Sequence, residues 1–501
     1  MEQGLGALDY GILVIYMFAL AGIGWWAARK STKNTEDYFL ASRSIPWLVT
    51  TASFLATIIS ALTFIASPGE GFSSDMKYLF SNIGDVSASF FIATCFLPVF
   101  QKHNVTSIYQ VIEMRLGSAV RTACSGYFLI SRIIASAVRI VVVAKVVEVI
   151  SDHQLSFNTS VIGTVVVILS YTVMGGGRAV AWTDTLQFFL LMGGAFTALG
   201  FICQKVPGGF WGVVQVGRDA HKFNFLEVFD GDNFGTLLLM ATWAFFQSSA
   251  AYGCDQDMAQ RLLACNNPKK ARWSLMVSGL AGVPIAFLFL FIGVGLFAFS
   301  KVDPSFLKGM TDTDQVFPLF IIRVMPPGLR GLLLAAVASA AMGSADSALA
   351  SLATAFTLDF YRPFFGKGQS EERTVMISKI SYVCFGVLFV LLAMAIHRMD
   401  NLLWLAFRIV GFTYGPLLGV FLVAMMTEWV VQPALLLAMM FSYTTVAAVF
   451  GIYANFAVKA GSTAALWVHL DKKWPLFVVV GALFVFFGSA VLRTRTTYSE
   501  S

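Results

Sequence analysis

The sequence predicts an all-α membrane protein with about thirteen transmembrane helices in a single transporter domain. Two observations carry that prediction. The first is composition: 57% of the 501 residues are hydrophobic and 12% are Asp, Glu, Lys or Arg, against roughly 25% charged in an ordinary soluble domain. Mean hydropathy is +0.75. So few polar side chains cannot clothe a water-exposed surface of this size, which excludes a soluble enzyme, a secreted disulfide scaffold and a disordered chain. The second is patterning. The apolar residues fall in solid runs of about the 20 residues a helix needs to cross a bilayer, without the period-two alternation of an outer-membrane barrel.

In chain order the runs centre on 8–28, 45–66, 79–99, 122–150, 160–174, 182–203, 235–252, 273–299, 331–357, 376–396, 402–425, 432–457 and 475–492. The longest intervening segments, 204–234 and 300–330, are rich in Gly, Pro and Phe and predict short helices at the membrane interface. The connections 254–272 and 359–375 are short and basic. With the N-terminus outside, the inner segments collect 18 of the 34 basic residues. The bias is sharpest early: Arg29, Lys30, Lys33 and Arg43 separate the first two runs, whereas residues 1–9 carry only acidic charge. This predicts a multi-pass plasma-membrane protein, at the inner membrane of a bacterium, with a cytoplasmic C-terminus. The first run has no basic leader or small-residue cleavage site, so it stays attached. The net charge of +6 follows the inner bias and forms no basic stripe for nucleic acid. The six cysteines stand singly and read as buried free thiols.

Enzyme chemistry has little to stand on. The five histidines fall in loops or at membrane edges, and HExxH, GxSxG and P-loop patterns are missing. No catalytic residue is predicted. Polar groups inside apolar runs are the notable feature. In the second run Ser60 and Thr63 share a helix face, and Pro68-Gly69 predicts an interruption whose freed carbonyls can coordinate a cation. A small-residue packing face is the alternative. The ninth run brings the oxygen donors Ser344, Asp346 and Ser347, a set suited to a hard cation. Asp346 lies well inside the span, where a carboxylate costs about 2.5–3.5 kcal/mol, so a cation or an Arg or Lys of another helix must compensate it. Gly175-Gly176-Gly177-Arg178 predicts a turn between two spans. Asp184 then begins the next helix, where the helix dipole favours an acid. Arg132 and Arg139, seven apart, share one face of the fourth run. Either they pair with an acid such as Asp85, Glu148 or Asp346, or at least one meets a substrate anion.

Four motifs in order carry a family resemblance: Asp37-Tyr38-Phe39-Leu40; Gly175-Gly176-Gly177 with Ala181-Trp182-Thr183-Asp184 and Gln187; Asp255-Gln256-Asp257 with Gln260-Arg261; and the small-residue stretch through Ser344. The chain resembles the sodium:solute symporter family, which includes sodium–glucose, proline, pantothenate and sialic acid transporters. That resemblance implies a LeuT-type fold: two inverted five-helix repeats, 45–203 and 235–425, with one extra helix before (1–44) and two after (432–501). It implies a broken helix in the second run and in the seventh, where Gln247-Ser248-Ser249 and Gly253 would mark the unwound part. It places the main sodium site at Ala56, Ile59, Ala340, Gly343 and Ser344, with Gly343 replacing the usual hydroxyl residue. A second site, for sodium or a proton, falls on Asp184, Asp346 and Ser347, so one or two Na+ ions accompany the solute. Ser60, Thr63, Tyr78, Asn82, Gln247 and the gate aromatic Tyr252 line the substrate cavity. Ala135 stands where the sialic acid branch has a carboxylate-binding arginine, and Arg132 or Arg139 reaches in from a neighbouring turn.

The implied function is sodium-coupled import of a small polar organic solute, a sugar, sialic acid or related carboxylate, by a monomer in a lipid bilayer. An amino acid, a choline-like cation, a monocarboxylate or a vitamin is the alternative cargo. A channel would want a continuous polar stripe. A membrane sensor on this fold would carry a C-terminal signalling domain, for which residues 493–501 leave no room.

Overall fold

The computed structural model describes residues 5–30, 34–59, 61–150, 155–223, 231–397, 402–459 and 476–493. Helices make up the architecture: α1 (Ala7–Lys30), α2 (Thr35–Leu40), α3 (Trp47–Ile58), α4 (Ala61–Ser73), α5 (Ser81–Cys95), α6 (Leu97–Lys102), α7 (Tyr109–Leu116), α8 (Ser118–Ile150), α9 (Phe157–Lys205) and α10 (Gly209–Asp219). There follow α11 (Gly231–Cys254), α12 (Gln256–Leu263), α13 (Pro268–Val302), α14 (Val316–Arg323), α15 (Leu329–Ala355), α16 (Arg362–Phe364), α17 (Glu371–Ile396), α18 (Leu402–Met426), α19 (Pro433–Lys459) and α20 (Leu476–Leu492). Every predicted apolar run carries helix. Among the described residues nine helices are long and apolar enough to cross a membrane, ten when the bent pair α3–α4 counts as one span. The segments 204–234 and 300–330 hold the expected short helices, α10 and α14.

The helix breaks do not fall where the prolines and glycines suggested. α3 and α4 meet at 59°, and the break lies at Ile59, whose φ of −81° and ψ of 84° leave the helical region. Pro68 and Gly69 sit inside α4, which runs on through them. A proline removes one backbone bond, and a packed membrane helix tolerates that. Gly69 and Gly71 are packing glycines instead: a Cβ at 69 would come within 2.8 Å of the Thr313 carbonyl, and one at 71 would strike that of Leu290. Likewise α11 is continuous through Gln247, Ser248, Ser249 and Gly253, and the chain breaks only at Asp255. A Cβ at Gly253 would approach Ile92 to 2.6 Å, so close packing on α5 explains that glycine.

The triple glycine forms no loop. α9 spans 49 residues, about 74 Å at 1.5 Å per residue and enough for two crossings of a bilayer core of roughly 30 Å. Its two halves join at Gly176, with φ 55° and ψ −147°. Only glycine takes that conformation readily, and a side chain there would also collide with the Tyr38 carbonyl.

The motifs quoted above meet at one end of the bundle. Arg178 Nη2 donates to Asp37 Oδ1 at 3.0 Å, Tyr38 Oη to the Val173 carbonyl at 2.8 Å, and Gln260 Nε2 to the Phe39 carbonyl at 2.8 Å. Ile45 bridges Cys265 at the same end. α15 is the most enclosed span, with 89% of its apolar window buried. It packs on α9, α8, α1, α17, α4 and α3, so whatever it carries faces other helices rather than lipid.

Candidate functional site

Two polar centres occupy the interior. The first is a charge network around Asp184, on the second half of α9. Ser53 Oγ donates to Asp184 Oδ2 at 2.7 Å, and Arg261 Nη2 donates to the same oxygen at 3.0 Å. Arg261 is held in turn by Ser53 Oγ (3.0 Å), by Asp257 Oδ1 and the Asp257 carbonyl (2.6 Å each), and by Ser347 Oγ. Ser347 Oγ lies 3.1 Å from Asp346 Oδ1, whose other oxygen accepts from Tyr171 Oη at 2.7 Å. Asp257 also pairs with Arg132, which lies 3.4 Å from Asp255 Oδ2; that oxygen accepts from Tyr414 Oη at 2.6 Å. The network therefore ties α3, α8, α9, α12, α15 and α18 together. Asp184, Asp346, Asp255 and Asp257 are all buried, where an uncompensated charge would be very costly. A partly open space lined by Thr50, Ser53, Asp257, Gln260, Arg261 and Ser347 abuts it.

This geometry gathers the predicted second site, Asp184, Asp346 and Ser347, in one place. It also corrects three readings. Asp184 is no helix-starting acid but the hub of a buried network. Asp346 accepts from two hydroxyls, with no Arg or Lys in ion-pair distance among the described residues. Arg132 pairs with Asp255 and Asp257, not with Asp85, Glu148 or Asp346. Arg261, Ser53, Asp257 and Tyr171 escaped the search for polar groups within spans. Arg261 and Asp257 belong to a connection read as a basic loop, yet all eight residues of α12 are buried. The signal was in the spacing: Asp257 and Arg261, four apart, face each other along one helix.

The second centre is the α3–α4 break. The last turn of a helix leaves carbonyls without intrahelical partners, and Ala56 and Ile59 stand in that turn, both buried. Ala340, Gly343 and Ser344 lie buried on α15, which packs against both half-helices. Ser344 Oγ donates to its own Ala341 carbonyl at 3.0 Å, leaving its lone pairs available. α3 ends at the break with the negative end of its dipole and α4 begins there with the positive end. Ser60 lies outside the described residues. Thr63, in the first turns of α4, Asn82 on α5 and Gln247 on α11 make no side-chain hydrogen bond to another described residue. Tyr78 is exposed in the turn Lys77–Phe80. Tyr252 is buried against Phe54, with ring centroids 5.4 Å apart, and Ser248 bonds Asp85 nearby.

Arg139 is half-buried and makes no ion pair among the described residues, whereas Arg121, Arg132, Arg261 and Arg330 each pair with an aspartate. Nη1 is enclosed and has no hydrogen-bond partner, and no carboxylate lies within ion-pair distance of the side chain among the described residues. Val143, one turn along the same face of α8, packs in one buried cluster with Ile59 and Phe64 from either side of the break.

A helical bundle with a broken span and buried polar centres suits a membrane transporter. The sodium:solute symporter family model matches residues 38–442, and the chain belongs to that family: it is a sodium-coupled solute symporter and not an enzyme, with Na+ as the co-transported ion. It is 28% identical over 447 residues to the sodium/sialic acid symporter NanT of Aliivibrio fischeri, covering 89% of this chain and 88% of that one. It is 26% identical over 449 residues to the sodium/glucose cotransporter of Vibrio parahaemolyticus, covering 85% and 82%. The fold matches a solved structure of a Na+-coupled sialic acid symporter in a substrate-bound outward-open state, with a TM-score of 0.81, 23% identity and 97% of each chain covered.

Proposed function

We propose that this symporter imports a small organic anion, a sialic acid or related carboxylate, with Arg139 as the group that receives the charge. The observation that carries this reading is the enclosed, unbonded Nη1 of Arg139. A guanidinium kept in a membrane interior without a partner is costly unless a ligand supplies the missing acceptor. The positive end of α4 favours an anion on the same side of the break. Arg139 lies one helical turn from Ala135, the position that the sialic acid branch fills with its arginine, and the similarity to the sodium/sialic acid symporter NanT supports the same cargo. Thr63, Tyr78, Asn82, Gln247 and, outside the described residues, Ser60 offer hydroxyls and amides for the rest of a polar solute, with Tyr252 closing the cavity.

Sodium sits at Ala56, Ile59, Ala340 and Ser344, with Gly343 contributing backbone only. Bound there, it pins α3 to α15 and fixes the half-helices in the geometry that the anion needs, which is coupling by differential affinity. The repeats 45–203 and 235–425 rock about this point. The network around Asp184 closes the end that holds Ile45 and Cys265, which faces the cytoplasm of a bacterial inner membrane, with the N-terminus outside. The protein works as a monomer. A thermal-shift screen of the purified protein tests the cargo. Carboxylated sugars should stabilise it in sodium and not in potassium, whereas neutral sugars should do neither. Stabilisation by neutral sugars alone would sink the anion reading.

A further inference from the structure

Between α2 and α3 the chain runs through three consecutive residues in the left-handed region, none of them glycine: Ala41 (φ 51°), Ser42 (φ 52°) and Arg43 (φ 50°). A residue with a Cβ is strained in that conformation, and proteins use it singly rather than in runs. The other non-glycine cases among the described residues, Asn104 and His221, stand alone. Strain of this kind persists only where the surroundings over-determine it, and here they do. The Ala41 N–H donates to the Asp37 and Glu36 carbonyls, and the Ala41 carbonyl accepts from Ser44 Oγ at 2.6 Å and Arg178 Nη2 at 3.3 Å. Ser42 Oγ donates to Asp37 Oδ1 at 2.7 Å, the oxygen that Arg178 also reaches. Arg43 Nη2 donates to the carbonyls of Asn104 at 2.8 Å and Val105 at 3.2 Å, and Nε donates to Glu36 Oε1 at 2.8 Å. These partners belong to α2, to α9 beside its joint at Gly176, to the connection between α6 and α7, and to the turn itself. None belongs to α3.

On its far side the turn feeds straight into α3. The Ile45 N–H donates to the Ala264 carbonyl at 3.1 Å, and the Ile45 carbonyl accepts from the Asn266 N–H at 2.9 Å, which ties the start of α3 to the chain leaving α12. Further along α3, Ser53 bonds Asp184 and Arg261. The torsions at 41–43 set the direction in which α3 leaves α2, so α3 cannot swing away from the Asp184 network without changing them. A return of Ala41 and Ser42 to negative φ is downhill. We infer that Ala41–Arg43 is a loaded spring: strain held in the turn while α3 is docked on the Asp184 network is released when α3 leaves it, and this offsets part of the cost of breaking the network. The inference rests on the reading that this end of the bundle opens to the cytoplasm during transport. Breaking buried ion pairs is costly, so the network alone would hold the end shut. A spring set against it brings the docked and released states closer in energy, and a transport cycle needs both populated.

Glycine separates strain from hydrogen bonding. It takes a φ near +50° without strain and is the poorer residue in a released, ordered turn, so both effects of Ser42→Gly favour the docked state. The native Cys265, buried beside Ile45, reports the opening. Its reaction with a maleimide is followed in the purified full-length protein, by mass spectrometry of the peptide that carries it, in potassium and across a series of sodium concentrations. Wild type should label faster in potassium than in sodium, because sodium pins α3 to α15. Ser42→Gly should label about 3- to 10-fold more slowly than wild type in potassium, and should need correspondingly less sodium for half-protection, while thermal stability holds or rises. Ala41→Gly should behave alike, and the double variant should go further. Ser42→Ala takes the same hydroxyl from Asp37 but keeps the Cβ and with it the strain, so it should label at the wild-type rate or faster. Glycine variants that label as fast as wild type, or Ser42→Ala slowed as much as Ser42→Gly, would overturn the spring. Equal labelling of wild type in sodium and potassium would instead overturn the reading that sodium closes this end.

Discussion

The Asp184 network and the α3–α4 break lie on the same central helix, α15, yet they treat polar atoms in opposite ways. Arg261 makes five contacts, to Ser53, Asp184, Ser347 and two atoms of Asp257. Arg139 Nη1 makes none. The carbonyls that end α3 are released by geometry, whereas Asp184 Oδ2 is saturated by donors. Where a buried group has met its partner within the chain, it holds helices together; the role proposed for Arg139 is that its partner comes from outside.

Breaking the saturated side should have the largest effect. Arg261→Ala leaves Asp184 and Asp257 buried without their cation, a class of change that costs about 3–5 kcal/mol. The expected result is loss of folded protein, read as a fall in thermal stability and in monodisperse yield. Stability equal to wild type would mean that the network is no lock. On the open side the reverse holds. Arg139→Gln should leave thermal stability within about 0.5 kcal/mol of wild type, because no internal partner is lost. It should weaken half-saturation for an anionic solute by about 10- to 100-fold, the equivalent of roughly 1.5–3 kcal/mol for a hydrogen bond to a charge. Kinetics of uptake against solute concentration check this, and an equal loss for a neutral solute would assign Arg139 to structure.

The same contrast explains what could be read from the chain alone. Apolar runs report lipid exposure and burial along a helix, so the spans were legible, as was the convergence of Asp184, Asp346 and Ser347 once the motifs were recognised. Break positions were not. Pro68 and Gly69 look like a break in one dimension, but tertiary packing keeps α4 helical through them, while Ile59 carries no local signal at all. Arg261 was hidden for a related reason: charge in a short connection reads as solvent-facing, and only the packed bundle reveals that α12 is buried. Arg132 and Arg139 are alike in sequence, seven apart on one face, and only the position of α12 tells which is spent.

Ser344→Ala sharpens the comparison at the sodium end of the break. The hydroxyl donates to Ala341 within its own helix, so removing it opens no unpaired donor elsewhere and should leave stability near wild type. Its lone pairs would be lost to the ion, and the sodium concentration for half-maximal uptake should rise by about 3- to 10-fold, near 1 kcal/mol. Unchanged sodium activation would remove Ser344 from the site.

Pro68→Ala should do least, and for that reason it discriminates well. If the working break lies at Ile59, residue 68 is one more position in a packed helix. α13 lies so close that a Cβ on Gly293 would strike the Pro68 carbonyl. Alanine restores a backbone donor and suits a helix interior better than proline, so stability should hold or rise slightly, and sodium activation and solute uptake should stay within about twofold of wild type. A collapse of uptake with intact folding would show that α4 must bend at residue 68 during the transport cycle, and the boundary between rigid and working parts of the second span would then move nine residues along the chain.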